Sequence, residues 1–412
     1  MTTDRTHIIV GASLAGAKAA ETLRAEGFDG PVVMIGTESE RPYERPPLSK
    51  DYLLGKAERE TIYVHPQDWY TENDVDLRLG ATVTAIDRGA HEVSLADGSK
   101  AGYAKLLLAT GSSPRRISIP GADLGGVLYL RSVGDSDRMR AAFQQASRVV
   151  VIGAGWIGLE TAAAARAADA EVTVLEMAEL PLLRVLGREV AQVFAALHRD
   201  NGVELRGGVQ IAEITGRDGQ ADGVRLTDGS HIPADVVIVG VGITPNSQLA
   251  SAAGLKVENG VLVSEQLRSS DPDIFATGDV ANAFHPMLGK HVRLEHWANA
   301  LNQPQTAAKA MLGQDVAYDL VPYFFTDQFD LGMEYAGYVE PDGYDEVVFR
   351  GDVDGREFIA FWLGDGGRVL AGMNVNVWDV NDAIQALVKA GKPVDLTALR
   401  DPEQPLESLI GG

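Results

Sequence analysis

The sequence contains no cysteine among its 412 residues. A chain without cysteine has no disulfide bond, no thiolate-ligated zinc or iron–sulfur cluster, and no redox-active cysteine pair. The histidines are scattered, and His285, His291 and His296 lack helical i,i+4 spacing, so we expect no metal site. Thiol relays and metal catalysis are therefore not expected.

Long apolar runs are also lacking. No segment approaches the ~18 apolar residues of a membrane-spanning helix, and the first residues, "MTTDRTHIIVG", lack the apolar run of a signal peptide. The net charge of −22 gives a surface that repels nucleic acid and anionic lipid. We expect a soluble cytoplasmic protein, a monomer or weak dimer, that binds neither nucleic acid nor membrane.

A strand–glycine turn–helix–strand pattern occurs twice in the chain. The first copy is "HIIVGASLAGAKAAETLRAEGFDGPVVMIG", residues 7–36, and the second is "VVVIGAGWIGLETAAAARAADAEVTVLE", residues 149–176. Each copy is followed by short alternating runs that predict a meander of strands. The whole module therefore recurs, which indicates an internal duplication of a domain.

The second copy carries a complete dinucleotide fingerprint. Gly153, Gly155 and Gly158 form G-x-G-x-x-G, which allows a tight turn, a close approach of pyrophosphate, and close packing of helix on strand. Glu176 ends the second strand, where a carboxylate accepts from a ribose 2′-OH but repels a 2′-phosphate. We predict binding of NADH rather than NADPH. The first arginine after Glu176 is Arg184, which we include among the candidate cofactor-binding residues.

The first copy has a looser fingerprint, "GASLAG". Ser13 stands between Gly11 and Gly16 in place of the middle glycine. The G-x-S-x-G nucleophile elbow of hydrolases is the alternative, but Ala15 occupies the position of its last glycine. Serine is small enough for a pyrophosphate to approach, so the segment also predicts a nucleotide site.

The acidic partner of the first site is displaced along the chain. Gly36 aligns with Glu176 of the second copy. The acidic residue for a ribose must then be Glu38.

The last part of the chain predicts a smaller α+β domain. The segments "DEVVFRGD", "EFIAFWLGD" and "RVLAGMNVNV" predict antiparallel strands, with "GDGG" as a hairpin turn. In "VNDAIQALVKAG" we expect a helix with Asn381 as N-cap and Gly391 as its end. Earlier in the chain, the prolines of "RPYERPPLSKDYL" predict an ordered loop that leads into a short helix.

Two dinucleotide sites in one chain resemble the two-dinucleotide-binding flavoproteins, the glutathione-reductase-like group. Three further stretches match the pattern of that group: "LLLATG" (106–111), "VIVGVGITPN" (237–246) and "IFATGDVA" (274–281). The resemblance implies an α/β fold with FAD in the first Rossmann-like domain and a nicotinamide in the second. It divides the chain into an FAD-binding domain (1–116 and 245–322), an NAD-binding domain (117–244) and the C-terminal α+β domain (323–412).

Within that group, the chain resembles the oxygenase-coupled, putidaredoxin reductase-like ferredoxin reductases. The segments "RPYERPPLSKDYLLG", "YLRSVGD", "VRLEHWANALNQ" and "VPYFFTDQFDLGMEYAG" carry this likeness. It implies a ferredoxin–NAD(+) reductase that moves hydride from NADH to FAD and single electrons to a 2Fe-2S ferredoxin. That ferredoxin would serve an oxygenase, either a haem monooxygenase or a ring-hydroxylating dioxygenase.

The resemblance also implies site residues. Lys50 and Glu160 would form a catalytic ion pair beside the flavin N5, and Asp279 would hold the ribityl chain. Phe325 stands where the family often has tryptophan. The other implied cofactor contacts are Ala15, Arg45, Val83, Thr110, Gly111, Arg131, Ile157, Gly242, Gly278, Glu295 and Trp297.

The absence of cysteine restricts the electron acceptor. Disulfide reductases of this fold use a cysteine pair and related NADH peroxidases use a single cysteine, so the electrons must leave the flavin directly. Lys290 and Arg293 are candidates for a basic patch that docks an acidic ferredoxin. Two alternatives stay open: a reductase of a quinone or of monodehydroascorbate, and an NADH-responsive signalling flavoprotein of the apoptosis-inducing-factor type.

Overall fold

The structure is a computed structural model that describes residues 5–410. The chain forms two compact units. Unit 1 comprises the chain up to Glu44, Arg59–Ser113 and Ile243–Leu320, and unit 2 comprises Arg45–Glu58, Pro114–Gly242 and the chain from Val321 onward. The finer division into three domains stays a prediction, and its ends at residues 1–4 and 411–412 lie outside the described residues.

Unit 1 is built on a parallel sheet in which all strands except the edge strand β3 are largely buried. Its strands are β1 (His7–Val10), β2 (Val32–Ile35), β3 (Val75–Arg78), β7 (Lys105–Leu108) and β19 (Ile274–Ala276), in the order β19–β7–β1–β2–β3. The sequences "HIIV" and "VVMI" are almost uninterrupted apolar runs because helices or further strands cover both faces of such a sheet.

Among the described residues, two smaller sheets and four α-helices complete unit 1. One sheet contains β4 (Val83–Asp87), β5 (Glu92–Leu95) and β6 (Lys100–Gly102), and the other contains β18 (Val261–Val263), β20 (Ala281–His285) and β21 (Lys290–Val292). The helices are α1 (Leu14–Ala25), α2 (Trp69–Glu72), α6 (Gln248–Ala252) and α7 (Trp297–Met311). The short strands β8 (Ser112–Pro114) and β17 (Ile243–Pro245) lie where the chain passes from one unit to the other.

Unit 2 repeats the parallel sheet. Its strands are β9 (Val127–Leu128), β10 (Arg148–Ile152), β11 (Glu171–Leu175), β12 (Val203–Arg206) and β16 (Val236–Val239), in the order β12–β11–β10–β16–β9. An antiparallel sheet follows, with β13 (Ile211–Arg217), β14 (Gln220–Leu226) and β15 (His231–Pro233). The helices here are α3 (Val133–Phe143), α4 (Trp156–Ala167) and α5 (Leu183–Asp200).

The chain from Val321 onward adds an antiparallel sheet to unit 2. The strands are β22 (Tyr323–Gln328), β23 (Leu331–Gly337), β24 (Glu346–Asp352), β25 (Glu357–Gly364) and β26 (Arg368–Val375), in the order β22–β23–β26–β25–β24. Helices α8 (Asn381–Ala390) and α9 (Leu396–Arg400) follow the last strand. Within residues 5–410, no helix is long and apolar enough to cross a membrane.

Both predicted strand–turn–helix–strand units are confirmed as β1–α1–β2 and β10–α4–β11. The predicted meanders are wrong in part, because only β4–β6 and β13–β15 are antiparallel. The flanking runs, β3 with β7 and β12 with β16, join the parallel sheets instead. Their apolar residues are buried among the strands of those sheets, a pairing that local alternation does not reveal.

Two local predictions need correction. Asn381 is the first residue of α8 and Val380 is its N-cap, because the Asn381 side chain accepts from Gln385 Nε2 (2.7 Å) along the helix. Gly391 is confirmed as the end of α8, with φ +59°. The prolines in the loop at 41–53 do not all precede a helix, because Pro46 and Pro47 begin the 3₁₀ helix Pro46–Ser49. Proline is tolerated in the first positions of a helix, where a backbone N–H would have no partner within the helix.

A buried arginine fastens the last part of the chain to β24. The Arg350 guanidinium is 8% exposed and donates to the carbonyl oxygens of Ala398, Leu399, Pro402 and Gln404. Methionine matches the length of the stem but supplies no donor, so four carbonyls, one of them buried and three part-buried, would lose a partner.

We predict that Arg350→Met lowers the free energy of unfolding by about 2–4 kcal/mol, measured by denaturant unfolding. The matched control is Arg400→Met, since Arg400 is 54% exposed and makes one ion pair, with Glu346 at 3.3 Å. It should change stability by less than about 0.5 kcal/mol. Equal effects of the two substitutions would contradict the prediction.

Candidate functional site

The first glycine turn joins β1 to α1 in unit 1. Gly11 has φ +124°, and a Cβ there would lie 2.1 Å from the Ala109 carbonyl oxygen. A Cβ at Gly16 would lie 2.1 Å from the carbonyl oxygen of Gly11. Gly16 is required because the helix begins against the residue that follows β1, and Gly11 is required because Ala109, which follows β7, approaches the turn as closely. The Ser13 side chain makes no capping hydrogen bond to α1, and no acidic residue of the described chain lies in the first turn of this helix. The free N–H groups and the dipole of α1 therefore fit an anion.

The second glycine turn joins β10 to α4 in unit 2 and has the same construction. A Cβ at Gly158 would lie 2.0 Å from the Gly153 carbonyl oxygen. Gly155 is the N-cap of α4, and an added Cβ there would meet no atom of residues 5–410 within 4 Å. No contact with the described protein therefore explains why this position is glycine. In this fingerprint the absence of a side chain leaves room for an approaching pyrophosphate.

Glu176 directly follows β11, as the sequence predicts. Its Oε2 accepts from the Ala154 N–H (2.7 Å) in the glycine turn, and its Oε1 accepts from the Ala178 N–H (2.9 Å). Each oxygen of a carboxylate has two acceptor sites. Glu176 is thus held in place by the backbone and retains acceptor capacity for ribose hydroxyls.

A pocket beside Glu176 is lined by Arg199 and Arg206, which the sequence analysis did not identify. Arg206 is paired in register with Leu175 on the neighbouring strand. A prediction that β12 lies next to β11 in the parallel sheet would therefore have placed Arg206 beside Glu176. Its Nε donates to Glu204 at 2.8 Å. The predicted Arg184 lies in the first turn of α5, exposed, and does not line this pocket as described.

The predicted displacement of the acidic residue in the first copy has a steric reason. A Cβ at Gly36 would lie 2.4 Å from the Ala12 Cβ, so β2 packs against the glycine turn where Glu176 stands in the second copy. Glu38 follows, and its Oε2 accepts from the Tyr43 hydroxyl at 2.5 Å.

Several other predicted residues of unit 1 lie at the ends of strands. Asp279 accepts from the Ser112 hydroxyl (2.7 Å), and the Gly278 N–H donates to Gln303 Oε1 (2.9 Å). Trp297 begins α7 and its indole N–H donates to Glu44 (3.2 Å), whose pKa burial raises.

The remaining predicted residues of unit 1 are held by the backbone around them. Thr110 and Asn246 exchange two hydrogen bonds, 2.8 and 2.9 Å long, and so tie the loop of Gly111 to the chain after β17. Ala15 is buried in α1, and Val83 begins β4.

One of the two proposed docking charges is not available at the surface. The Arg293 side chain is 10% exposed and forms an ion pair with Glu295 at 2.6 Å. Arg293 is therefore occupied within unit 1 and presents little charge at the surface, which disfavours it as a docking residue.

In unit 2 the predicted ion pair of Lys50 and Glu160 is confirmed. The Lys50 ammonium lies 2.9 Å from Glu160 Oε1, and Glu160 is 4% exposed. Two neighbours missed by the sequence analysis complete the set: the Thr326 hydroxyl donates to Oε1 (2.5 Å) and the Ser49 hydroxyl donates to Oε2 (2.5 Å). A buried carboxylate persists only when it is paired and hydrogen-bonded, and here three donors meet that need.

The other predicted cofactor residues of unit 2 include Phe325, the one whose contact with this pair is described. Lys50 Nζ lies 5.4 Å from the centre of the Phe325 ring. Arg45 donates through Nη1 to the Arg131 carbonyl oxygen. Gly242, with φ +93°, would place a Cβ near no atom of the described chain, as Gly155 does, and half-exposed Ile157 lies in the first turn of α4.

Comparison with known proteins gives consistent matches. The family model "Pyridine nucleotide-disulphide oxidoreductase" matches residues 5–304, and "Reductase C-terminal" matches residues 323–410. The chain is 42% identical to the anthranilate 1,2-dioxygenase system ferredoxin–NAD(+) reductase component of Burkholderia cepacia, over 98% of both chains. It is 38% identical to putidaredoxin reductase of Pseudomonas putida, over 98% of this chain and 96% of that one.

Two solved structures superpose over nearly the whole chain. The covalent putidaredoxin reductase–putidaredoxin complex matches with a TM-score of 0.95 and 36% identity over 99% of both chains. The ferredoxin reductase for the CYP199A2 system from Rhodopseudomonas palustris matches with a TM-score of 0.94 and 35% identity, over 98% of this chain and 99% of that chain.

The position of Glu176 predicts coenzyme choice. We expect NADH to be preferred over NADPH by roughly ten- to hundredfold in kcat/KM, the value of a hydrogen bond to a charged group. Glu176→Gln should reduce this preference, because an amide does not repel a 2′-phosphate. Steady-state kinetics with both coenzymes measure it.

The control for that substitution is Glu171→Gln, at the exposed opposite end of the same strand. It should leave the preference unchanged. An NADPH efficiency equal to that of NADH in the unmodified protein would rule out the assigned role of Glu176.

Proposed function

Since the chain belongs to the pyridine nucleotide-disulphide oxidoreductase family, we propose that it is an FAD-dependent ferredoxin–NAD(+) reductase. It would oxidise NADH and pass single electrons to a 2Fe-2S ferredoxin that serves an oxygenase. The observation that carries the proposal is the pair of open glycine turns, each at the carboxyl edge of a parallel sheet, in a chain without cysteine. The names of its full-length relatives, reductases of oxygenase systems, support the same conclusion.

The residues of unit 1 fit the proposed FAD. The open first turn of α1 suits a pyrophosphate, Glu38 suits a ribose, and the Asp279 carboxylate, fixed by Ser112, suits a polyol chain. The other residues that we assign to FAD in this unit are Gly11, Ser13, Ala15, Gly16, Val83, Thr110, Gly111, Gly278, Glu295 and Trp297.

Unit 2 would bind NADH at its glycine turn. The first turn of α4 receives the pyrophosphate beside Gly155, and Glu176 accepts from the ribose. We assign Gly153, Ile157, Gly158, Arg184 and Gly242 to the same coenzyme, and Arg45, Lys50, Arg131 and Phe325 to the flavin.

When bound, FAD supplies the conversion of a two-electron hydride donor into a one-electron donor, which no side chain of this protein can perform. Lys50 contributes a positive charge, and the ion pair with Glu160 fixes where its ammonium group lies. Neither charge of the buried pair is left without a partner. The half-buried Phe325 offers an aromatic face next to that charge. These side chains orient the reactants and exclude water; they form no covalent bond to them.

Two expectations of the sequence analysis stay predictions. The protein is proposed to act in the cytoplasm, and as a monomer or weak dimer.

Removal of the Lys50 charge tests the assigned pair. Lys50→Ala leaves the Glu160 carboxylate buried without its cation, so we expect flavin reduction by NADH to slow by roughly a hundredfold or FAD retention to fall. Stopped-flow absorbance and the flavin-to-protein ratio measure these effects. Lys56→Ala, an exposed residue of the same segment, is the control. If Lys50→Ala reduced its flavin at the normal rate with normal FAD content, the role would be wrong.

The acceptor is tested with purified components. We expect slow NADH oxidation in air and a strong acceleration of cytochrome c reduction when a cognate 2Fe-2S ferredoxin is added. The rate should fall with rising ionic strength, because a chain of net charge −22 needs a local basic patch to dock an acidic partner.

Other acceptors distinguish the alternatives. Rapid direct reduction of a quinone or of monodehydroascorbate would favour the small-acceptor reductase. A long-lived charge-transfer complex with slow reoxidation would favour the signalling flavoprotein. Rapid turnover of a disulfide substrate would contradict the whole assignment.

A further inference from the structure

A line of buried polar side chains extends from Glu160 into the interior of unit 2. Thr326 donates to Glu160, Gln328 Nε2 donates to Thr326 Oγ1 (3.2 Å), and Gln328 Oε1 lies 2.8 Å from His198 Nε2. Thr326, Gln328 and His198 are each no more than 1% exposed. We refer to these three residues, which join β22 to α5, as the inner chain.

The direction of every hydrogen bond in the inner chain follows from the carboxylate at its end. A carboxylate only accepts, so the Thr326 hydroxyl gives its hydrogen to Glu160 and must accept from its other neighbour. The NH₂ group of Gln328 therefore faces Thr326, and its carbonyl oxygen faces His198. His198 must then carry its hydrogen on Nε2, and all the donors point towards Glu160.

His198 is suited to remain in this one state. Burial lowers the pKa of His198 to about 4, so the ring is neutral at ordinary pH. Its Nδ1 has no hydrogen-bond partner among residues 5–410, so a proton there would be left without an acceptor. The far end of the inner chain thus has a fixed hydrogen position.

Packing alone does not explain the inner chain. Thr326 and Gln328 lie on the face of β22 that also buries Phe324, where apolar side chains would fill the space without the cost of burying polar groups. Replacement of a hydrogen-bonded buried set by apolar groups is often neutral for stability. The distinctive feature of the set is its end at Glu160 Oε1, the same oxygen that receives Lys50.

We propose that Thr326, Gln328 and His198 are positioning residues that orient the Glu160 carboxylate, and through it Lys50, for hydride transfer. The inner chain fixes the plane of the carboxylate from inside the protein, while Ser49 holds its second oxygen. Hydrogen bonds polarised in one direction strengthen one another. This inference rests on the role given to Lys50 and Glu160 under the proposed function.

The test uses the FAD-bound protein and the pair Thr326→Val and Thr326→Ser. Valine keeps the volume and removes the donor, whereas serine keeps the donor. We expect Thr326→Val to slow flavin reduction at saturating NADH by roughly tenfold with an unchanged Kd for NADH, and Thr326→Ser to restore the rate. Gln328→Leu, which breaks the inner chain one step further away, should slow it by about threefold.

A second measurement does not depend on activity. Isotope-edited infrared spectra of protein with ¹³C-labelled glutamate, compared with spectra of Glu160→Gln, isolate the carboxylate stretch of Glu160. That band should shift in Thr326→Val and Gln328→Leu. Thr215→Val is the matched control, because it removes a threonine hydroxyl from a different carboxylate, that of Asp222 (2.7 Å), and it should leave both the rate and the band in place.

The outcomes separate this inference from the proposed function. If Glu160→Gln slows flavin reduction while Thr326→Val and Gln328→Leu behave like the unmodified protein, the inference is overturned and the proposed function stands. If Glu160→Gln has no effect on the rate, the assigned role of the pair fails. The infrared band then decides alone whether the inner chain orients Glu160: a shift supports that orientation and an unchanged band overturns it.

Discussion

The structure depends on how closely a helix can begin against the strand that precedes it. In both parallel sheets a glycine carbonyl oxygen occupies the place where a side chain of the helix would begin, 2.1 Å from a Cβ at Gly16 and 2.0 Å from one at Gly158. This contact directs the first turn of each helix to the carboxyl edge of its sheet. Three features result from that placement: the open N–H groups, the positions of the carboxylates after the second strands, and the packing of β2 against the first turn.

A second constraint acts in the interior of unit 2, where a charge is buried. Glu160 is placed by α4 next to the glycine turn, and its surroundings supply one ammonium and two hydroxyl donors. These come from two separate segments, the loop of Ser49 and Lys50 and the C-terminal sheet, so the charge on α4 connects both of them to the Rossmann-like part of the same unit. A buried ion pair of this kind contributes little to stability, which is a physical reason to look for its role in chemistry.

The features that could be predicted from the sequence are those whose residues lie close together along the chain. The spacing from Gly153 to Gly158 and on to Glu176 determines a turn, a helix and a strand within one short segment, so the fold class and both strand–turn–helix–strand units could be identified. The absence of cysteine needed no structure to exclude a thiol relay. The Lys50–Glu160 pair came from a family resemblance, not from spacing, because these residues are 110 positions apart.

The parts that were missed depend on contacts between distant segments. Thr326 is 166 positions from Glu160, and Gln328 is 130 positions from His198, so no periodicity connects them. The runs that form β3, β7, β12 and β16 alternate much like the antiparallel strands beside them, and only their parallel partners reveal where they belong. The predicted N-cap of α8 was wrong by one residue, because the Asn381 side chain accepts a hydrogen bond from Gln385 within the helix instead of capping it.

The anchoring of Glu176 has a consequence for how coenzyme preference can evolve. The carboxylate to which we assign coenzyme discrimination also accepts from the N–H groups of Ala154 and Ala178, so it shapes the glycine turn that we propose to bind the pyrophosphate. An arginine at this position would neutralise a 2′-phosphate but leave two backbone donors without acceptors. A lineage moving from one coenzyme to the other would therefore pass through an intermediate with a weakened loop, unless a second substitution came first. Under the proposed function, coenzyme choice is protected by epistasis as well as by charge.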